Sequence, residues 1–141
     1  MKKTITFTIV IFFILCFFSS CVSLKNYEQK GDFITQFFNK ESVYNSLESY
    51  YTQKNIIIYD EKKELVDTPK LFGVDSKKIK IEIKKPINDN YFSVYSFILN
   101  ENLSMLVLST SDGDKGVIYY IRKKDKTSSW AIMNIIPKNS R

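Results

Sequence analysis

A short, strictly alternating segment constrains the fold more than any other stretch of the chain. Ile79, Ile81 and Ile83 alternate with charged residues between Lys78 and Lys84. Because successive side chains of a β-strand point to opposite faces, this pattern predicts a strand with one apolar and one solvated face. The chain therefore contains a sheet, and another layer of structure must cover its apolar face.

A meander of further strands is predicted after this one. They span Tyr91–Leu99, Leu103–Thr110, Gly116–Lys123 and Ser129–Ile136, and turn-forming residues connect them. The segments Tyr91–Leu99 and Leu103–Leu108 are apolar on both faces, which predicts that they lie at the centre of the sheet.

The region before the alternating strand is less regular. Asn55–Tyr59 is rich in β-branched residues and predicts a strand, which pairs with Glu64–Asp67 in a hairpin across the charged turn at residues 60–63. Thr68 and Pro69 are residue types found at helix N-termini, so the segment up to Gly73 is predicted to be a single helical turn.

One amphipathic helix is predicted from Asp32 to Tyr51. Asp32 can accept hydrogen bonds from the free amides of a first turn, and apolar residues then recur at helical spacing. These residues are Phe33, Ile34, Phe37, Phe38, Tyr44, Leu47, Tyr50 and Tyr51. They are expected to pack in the core, the alternative being a wall that faces a ligand. A break near Asn39 and Lys40 would instead give two shorter helices.

Together these elements predict an α+β fold. One N-terminal amphipathic helix packs on a curved antiparallel sheet of about five to seven strands. The order and lengths of the elements resemble cystatin-like and NTF2-like folds. This resemblance concerns the fold alone and implies no function.

The N-terminal residues do not belong to this fold. Lys2 and Lys3 precede an apolar run of 14 residues from Ile5 to Phe18. As a helix, this run would rise about 21 Å, which is short of the ~30 Å hydrocarbon layer of a bilayer. It therefore has the length of a signal-peptide core rather than of a transmembrane anchor.

The residues after this run carry a resemblance to bacterial lipoproteins. Ser19, Ser20 and Cys21 match the last three positions of the lipobox, and Phe18 stands where the family usually has leucine. The resemblance implies cleavage before Cys21 and lipidation of Cys21 with acyl chains such as palmitate. The alternatives are an ordinary secretory signal, cut near Ser20 or Ser23, and an uncleaved anchor.

This resemblance also implies a domain organisation and a location. Residues 1–20 are the signal peptide, and residues 21–31 are the lipidated cysteine and a tether. The resemblance does not extend to residues 32–141, whose length and element pattern predict a single α+β domain. The lipid would hold the protein at the cell membrane or the outer membrane, with the domain facing the periplasm or the cell exterior.

The residue types present limit the chemistry. The chain contains no histidine, which excludes Ser-His-Asp and Cys-His catalysis and histidine zinc sites. Cys16 would leave with the signal and Cys21 would be lipidated, so neither a disulfide nor a free thiol is expected. With 21 basic and 15 acidic residues the chain is mildly basic, and export conflicts with a nucleic-acid partner. No cofactor and no metal are expected.

Two acidic segments are candidates for chemistry. Asp112–Asp114 could be half of a calcium site, but the rest of the EF-hand pattern is missing, and a hairpin turn is predicted. Asp60, Glu61, Glu64 and Asp67 could contain a general acid–base pair. The lysines among them instead favour a solvated turn.

Two further sets of residues could bind partners. A basic face could bind an envelope protein or an anionic polymer, although strands also carry lysine to protect sheet edges. Its residues are Lys78, Lys80, Lys84, Arg122, Lys123, Lys124 and Lys126. Six tyrosines could line an apolar pocket or be ordinary half-buried residues. They are Tyr50, Tyr51, Tyr59, Tyr95, Tyr119 and Tyr120.

The sequence therefore predicts a small exported lipoprotein that is held at a membrane through Cys21. Its domain is expected to bind an envelope protein, an envelope polymer or an apolar ligand, and to have no catalytic residues. The alternative is an NTF2-like enzyme that uses a buried carboxylate and tyrosines in a pocket.

Overall fold

The structure, a computed structural model, describes residues 27–51, 53–73, 76–125 and 127–139. The chain divides into two units, residues 1–32 and 33–141, and the second contains the sheet and the hydrophobic core. The predicted signal peptide, Cys21 and Lys126 lie outside the described residues. Within the described part of the chain, neither helix has the length and apolarity that crossing a bilayer requires.

Two short helices occupy the region in which one helix is predicted. Helix α1 is described over residues 27–38, and helix α2 spans Glu41–Glu48. Lys40 between them is extended, with φ −79° and ψ 127°. The Oδ1 atom of Asn39 accepts a hydrogen bond from the amide of Gly73 at 2.9 Å. Asparagine favours such side-chain bonds to backbone groups, which compete with continuation of a helix. The break therefore lies at Asn39 and Lys40, and residues 27–31 of the predicted tether are helical.

Seven strands form one sheet in the order β2-β3-β1-β4-β5-β6-β7. They are β1 (Asn55–Tyr59), β2 (Lys70–Phe72), β3 (Lys78–Glu82), β4 (Phe92–Leu99), β5 (Leu103–Thr110), β6 (Lys115–Arg122) and β7 (Ala131–Asn139). Strand β1 is parallel to both β3 and β4, and the other pairs are antiparallel. The prediction of a fully antiparallel sheet is wrong, because alternation reports the faces of a strand and not the direction of its neighbour. The central position predicted for β4 and β5 is confirmed.

Two predictions for residues 60–73 are wrong. Glu64–Asp67 is not a strand, and Lys70–Phe72 is an edge strand rather than a helical turn. Phe72 is buried and packs on Phe38 of α1, with 5.5 Å between the ring centroids. This tertiary contact outweighs the local preference of Thr68-Pro69 for a helix start, and proline is compatible with the residue before an edge strand.

The core lies between the helices and one face of the sheet. The ring centroid of Phe33 is 5.0 Å from that of Trp130 and 5.5 Å from that of Phe97 on β4. The ring of Phe37 meets Tyr119 of β6 edge-on at 5.0 Å. Phe33, Phe37, Tyr119 and Trp130 are completely buried. The aromatic stripe of α1 is therefore core packing, as predicted, and contributes large buried apolar areas.

Candidate functional site

Asp60 is the only buried acidic residue in the described part of the chain. Its carboxylate accepts hydrogen bonds from backbone amides. One carboxylate oxygen accepts a hydrogen bond from the amide of Glu64 at 2.8 Å. The other accepts from the amides of Leu65 and Val66 at 2.8 and 2.9 Å. Asp60 therefore anchors the loop after β1 against the core, and it does not belong to a solvated turn.

The other acids of this segment do not join Asp60 in a pocket. Glu61 and Asp67 are exposed. Glu64 is partly exposed, and its Oε2 atom is buried without a hydrogen-bond partner among the described atoms. In the described ranges, no group of three or more aspartate, glutamate or cysteine side chains lies close enough to hold a metal ion.

The turn at Asp112–Asp114 is the predicted hairpin turn between β5 and β6. The hydroxyl of Thr110 donates to Oδ1 of Asp112 at 2.5 Å, and the amide of Asp114 donates to the same oxygen at 3.0 Å. These bonds lower the pKa of Asp112 below its usual range, the bond from Thr110 first. The carboxylate of Asp112 thus organises its own turn.

Two of the candidate tyrosines tie the helical layer to β6. The hydroxyls of Tyr119 and Ser46 are 2.6 Å apart, and the hydroxyl of Tyr50 donates to the carbonyl of Gly116 at 2.7 Å. Burial raises the pKa of both phenols, far above the ordinary value for Tyr119. These hydroxyls serve tertiary hydrogen bonds.

The remaining tyrosines lie elsewhere. The hydroxyl of Tyr51 donates to the carbonyl of Tyr91 at 2.9 Å, and the half-buried ring of Tyr59 packs edge-on against Tyr91. Tyr95 and Tyr120 are exposed. The structure therefore does not bring the six tyrosines into one pocket.

The predicted basic face is divided between two places. Lys78 and Lys80 lie on β3, Lys84 follows it, and all three are exposed. Lys80 forms an ion pair with Glu82 of the same strand. Three strands separate β3 from β6, which carries Arg122. At about 4.8 Å per strand, the two groups are about 19 Å apart across the sheet.

The second group, which contains Arg122, Lys123 and Lys124, does not form one exposed basic patch. Arg122 and Lys124 are exposed, whereas Lys123 is buried, with 8% of its surface accessible. The Nζ atom of Lys123 lies 4.9 Å from the ring centroid of Trp130, the distance of a cation–π contact. Lys123 therefore packs on the core.

A cleft of about 370 Å³ lies where α1 meets α2, beside the start of β3. Phe38, Tyr44 and Ile79 form its apolar part, and Glu41 and Lys77 stand at its edge. The Nζ atom of Lys77 donates to Oε1 of Glu41 at 2.9 Å, and this bond lowers the pKa of Glu41. The cleft has the volume of a small-ligand site, and the charges of this pair compensate each other.

In the described part of the chain, no element covers the face of β4–β7 that points away from the helices. Cross-strand pairing places Ile98, Met105 and Tyr120 in one row and Val107, Ile118 and Ile136 in the next. Their neighbours along β5 that point toward the helices, such as Leu106 and Leu108, are completely buried. The outer face is defined by its exposed apolar residues. These are Tyr95, Ile98, Leu103, Tyr120 and Ile136, with accessible fractions between 38% and 72%.

The charge of the outer face is predominantly positive. Strands β4–β7 contain no aspartate or glutamate, and their basic residues are Lys115, Arg122 and Lys138. Arg122 pairs across the sheet with Leu103. Lys138 borders a groove of about 140 Å³ together with Tyr95 and with Asp114 of the turn before β6. Apolar and cationic side chains therefore lie on the same surface.

Sequence reasoning missed this surface. The apolar residues on both faces of β4 and β5 predict a central position in the sheet, which is correct, but none of the described elements covers one of the two faces. The signal was the same double-sided apolar pattern, since a sheet with helices on only one side leaves the other side open.

Comparisons with family models, curated proteins and solved structures found no significant match. The resemblance to cystatin-like and NTF2-like folds therefore stays a prediction.

Proposed function

We propose that this protein is an exported lipoprotein, anchored in the cell envelope through Cys21, whose domain is a non-enzymatic binding module. The observation that carries the binding role is the outer face of β4–β7. Contiguous exposed apolar patches mark contact surfaces, because an interface removes their apolar area from water. The cationic residues beside them favour an anionic partner.

An enzymatic role has weaker support. The hypothesis of a buried carboxylate with tyrosines needs these groups to converge on a cavity. The carboxylate of Asp60 binds backbone amides, and the hydroxyls of Tyr50 and Tyr119 hold the helical layer on β6. These groups are used by the fold.

The test of the anchor is the intact mass of the mature protein from the membrane fraction of its native host. We expect a triacylated chain that begins at Cys21. The variant Cys21→Ala should lose the lipid mass and the membrane association. The matched control is Cys16→Ala, which removes the other cysteine and should be processed normally. An unmodified soluble chain that begins after Ser20 would refute the anchor.

The cleft supports a second candidate function, the binding of a small apolar ligand. Its apolar part is formed by Phe38, Tyr44 and Ile79, and its volume falls in the range of ligand pockets. A fluorescent apolar probe such as anilinonaphthalene sulfonate should bind there. Phe38, Tyr44 and Ile79 are buried, so the better variant is Ser76→Trp, at an exposed residue that lines the cleft. It should reduce the volume of the cleft and weaken probe binding. Unchanged binding would exclude the cleft.

A further inference from the structure

We propose that the outer face of β4–β7 rests on the surface of an anionic bilayer. This inference rests on the proposed function, because the lipid on Cys21 is what would bring the domain to a membrane. It names the partner of the same surface.

Charge is the first argument. The strands of this face carry Lys115, Arg122 and Lys138 and no acid. The acidic residues of this half of the sheet lie in the connecting turns, namely Glu101, Asp112, Asp114 and Asp125. Asp114 borders the same groove as Lys138, so the face carries a net positive charge and not cations alone. A face with a net positive charge is attracted to a surface of anionic headgroups.

The types of apolar residue are the second argument. Tyr95 and Tyr120 are exposed beside Ile98 and Ile136. Tyrosine combines an apolar ring with a polar tip and is enriched where membrane and water meet. The rows of the outer face cross four strands, which span about 14 Å at the usual strand spacing. Such a face can lie on headgroups without any segment crossing the bilayer.

The geometry of attachment is the third argument. Six residue steps separate Cys21 from Tyr27, the first described helical residue, and they reach at most about 22 Å. A domain of this size has a radius of gyration of about 13 Å. A lipid on Cys21 would therefore keep the domain near the bilayer at all times, so even weak surface contacts would be occupied.

A second copy of the chain is the less suitable occupant. Pairing two outer faces would bury Arg122 and Lys138 of both copies in one interface. Like charges across an interface oppose association. An acidic protein would satisfy the charge, but it would not make use of the membrane attachment.

The experiment measures how fast single cysteines on the face react with a membrane-impermeant maleimide. The full chain, purified as its host produces it, carries Tyr95→Cys or Ile98→Cys and is placed on vesicles of phosphatidylcholine alone or with 30 mol % phosphatidylglycerol. The control is Ile87→Cys, since Ile87 is fully exposed outside the sheet. The sulfur of a lipidated Cys21 cannot react.

We expect both face cysteines to react at least about five-fold more slowly on the anionic vesicles, whereas Ile87→Cys reacts equally on both. Each basic residue near an anionic surface contributes about five-fold to partitioning. The double variant Arg122→Gln/Lys138→Gln should therefore weaken the partitioning of the face about 25-fold, which is enough to abolish the protection of the face cysteines. The double variant Lys70→Gln/Lys84→Gln, with the same change in net charge, should keep it.

Three results would overturn the proposal. The face cysteines could react as fast as Ile87→Cys, or be protected equally on neutral vesicles. They could also be protected in detergent in proportion to protein concentration, which would identify a second copy as the occupant. Failure of the anchor is read separately, from the mass and from flotation with the vesicles. If the chain is unlipidated, the same face cysteines are tested on the same vesicles in the Cys21→Ala background, which removes the free thiol.

Discussion

Replacing Asp60 tests whether its buried carboxylate stabilises the loop after β1. Its two oxygens accept three backbone hydrogen bonds of 2.8 to 2.9 Å, and its side chain is completely buried. In Asp60→Ala these three amides lose their acceptor. An unsatisfied buried donor costs about 1–3 kcal/mol.

The total stability lost in Asp60→Ala is smaller than the sum of three independent losses. Water can reach the partly buried amide of Glu64, and the losses of neighbouring bonds are not additive. We therefore expect Asp60→Ala to lower the free energy of unfolding by about 3–5 kcal/mol. A small domain is stable by about 5–15 kcal/mol, so this is a large fraction of the total.

A conservative variant separates hydrogen bonding from packing. The variant Asp60→Asn retains one acceptor oxygen, which can serve the amides of Leu65 and Val66. The NH₂ group of the new side chain would then face the amide of Glu64, a second donor. We expect a loss of about 1–3 kcal/mol, between the wild type and Asp60→Ala.

The assay is urea denaturation, followed by circular dichroism and by the fluorescence of Trp130. The matched control is Asp67→Ala, an exposed acid of the same loop, which should stay within about 0.5 kcal/mol of the wild type. If Asp60→Ala and Asp67→Ala unfold at the same urea concentration, the anchoring role is wrong.

Two further predictions concern buried and strained positions. Tyr119→Phe should lose about 1 kcal/mol with the bond to Ser46. Because burial raises the pKa of Tyr119, the free energy of unfolding should fall as pH rises above about 10, where the phenol of the unfolded chain ionises. In Tyr119→Phe the free energy of unfolding should fall less steeply with pH. Equal slopes against pH for the two proteins would contradict this. Gly73→Ala would place a Cβ 2.0 Å from the carbonyl oxygen of Lys77 at φ +112°. A Cβ added at Gly113, with φ +80°, would meet no atom within 4 Å apart from the adjacent residues. Gly113→Ala should therefore lose about 1–2 kcal/mol by denaturation, and Gly73→Ala more; the reverse order would refute the reasoning.

Some elements were predictable from the sequence because their signal is local. The alternation of Lys78–Lys84 identified β3, the run Asn55–Tyr59 identified β1, and Asp112–Asp114 identified a tight turn. Each depends on side-chain period or on turn residues within a few positions. The aromatic residues of α1 were assigned to the core for the same reason.

The candidate surfaces were less predictable. Grouping Lys80 with Arg122 required knowing that β3 and β6 are neighbours, and the sheet order separates them by three strands. Similarly, the charged residues around Asp60 gave no sign that its carboxylate turns inward, because that depends on backbone amides up to six residues later.

The residue types and periods by themselves determined the α+β class, most of the strands and the absence of histidine chemistry. The tertiary structure decided the direction of the strands, the order of the sheet and the edge strand β2. It also decided the burial of Asp60 and Lys123. The physical reason is that periodicity reports which face of an element is apolar, whereas the partner of that face is selected by packing between residues distant in the chain. The outer face of β4–β7 shows both, since its residues are apolar by sequence and exposed by topology.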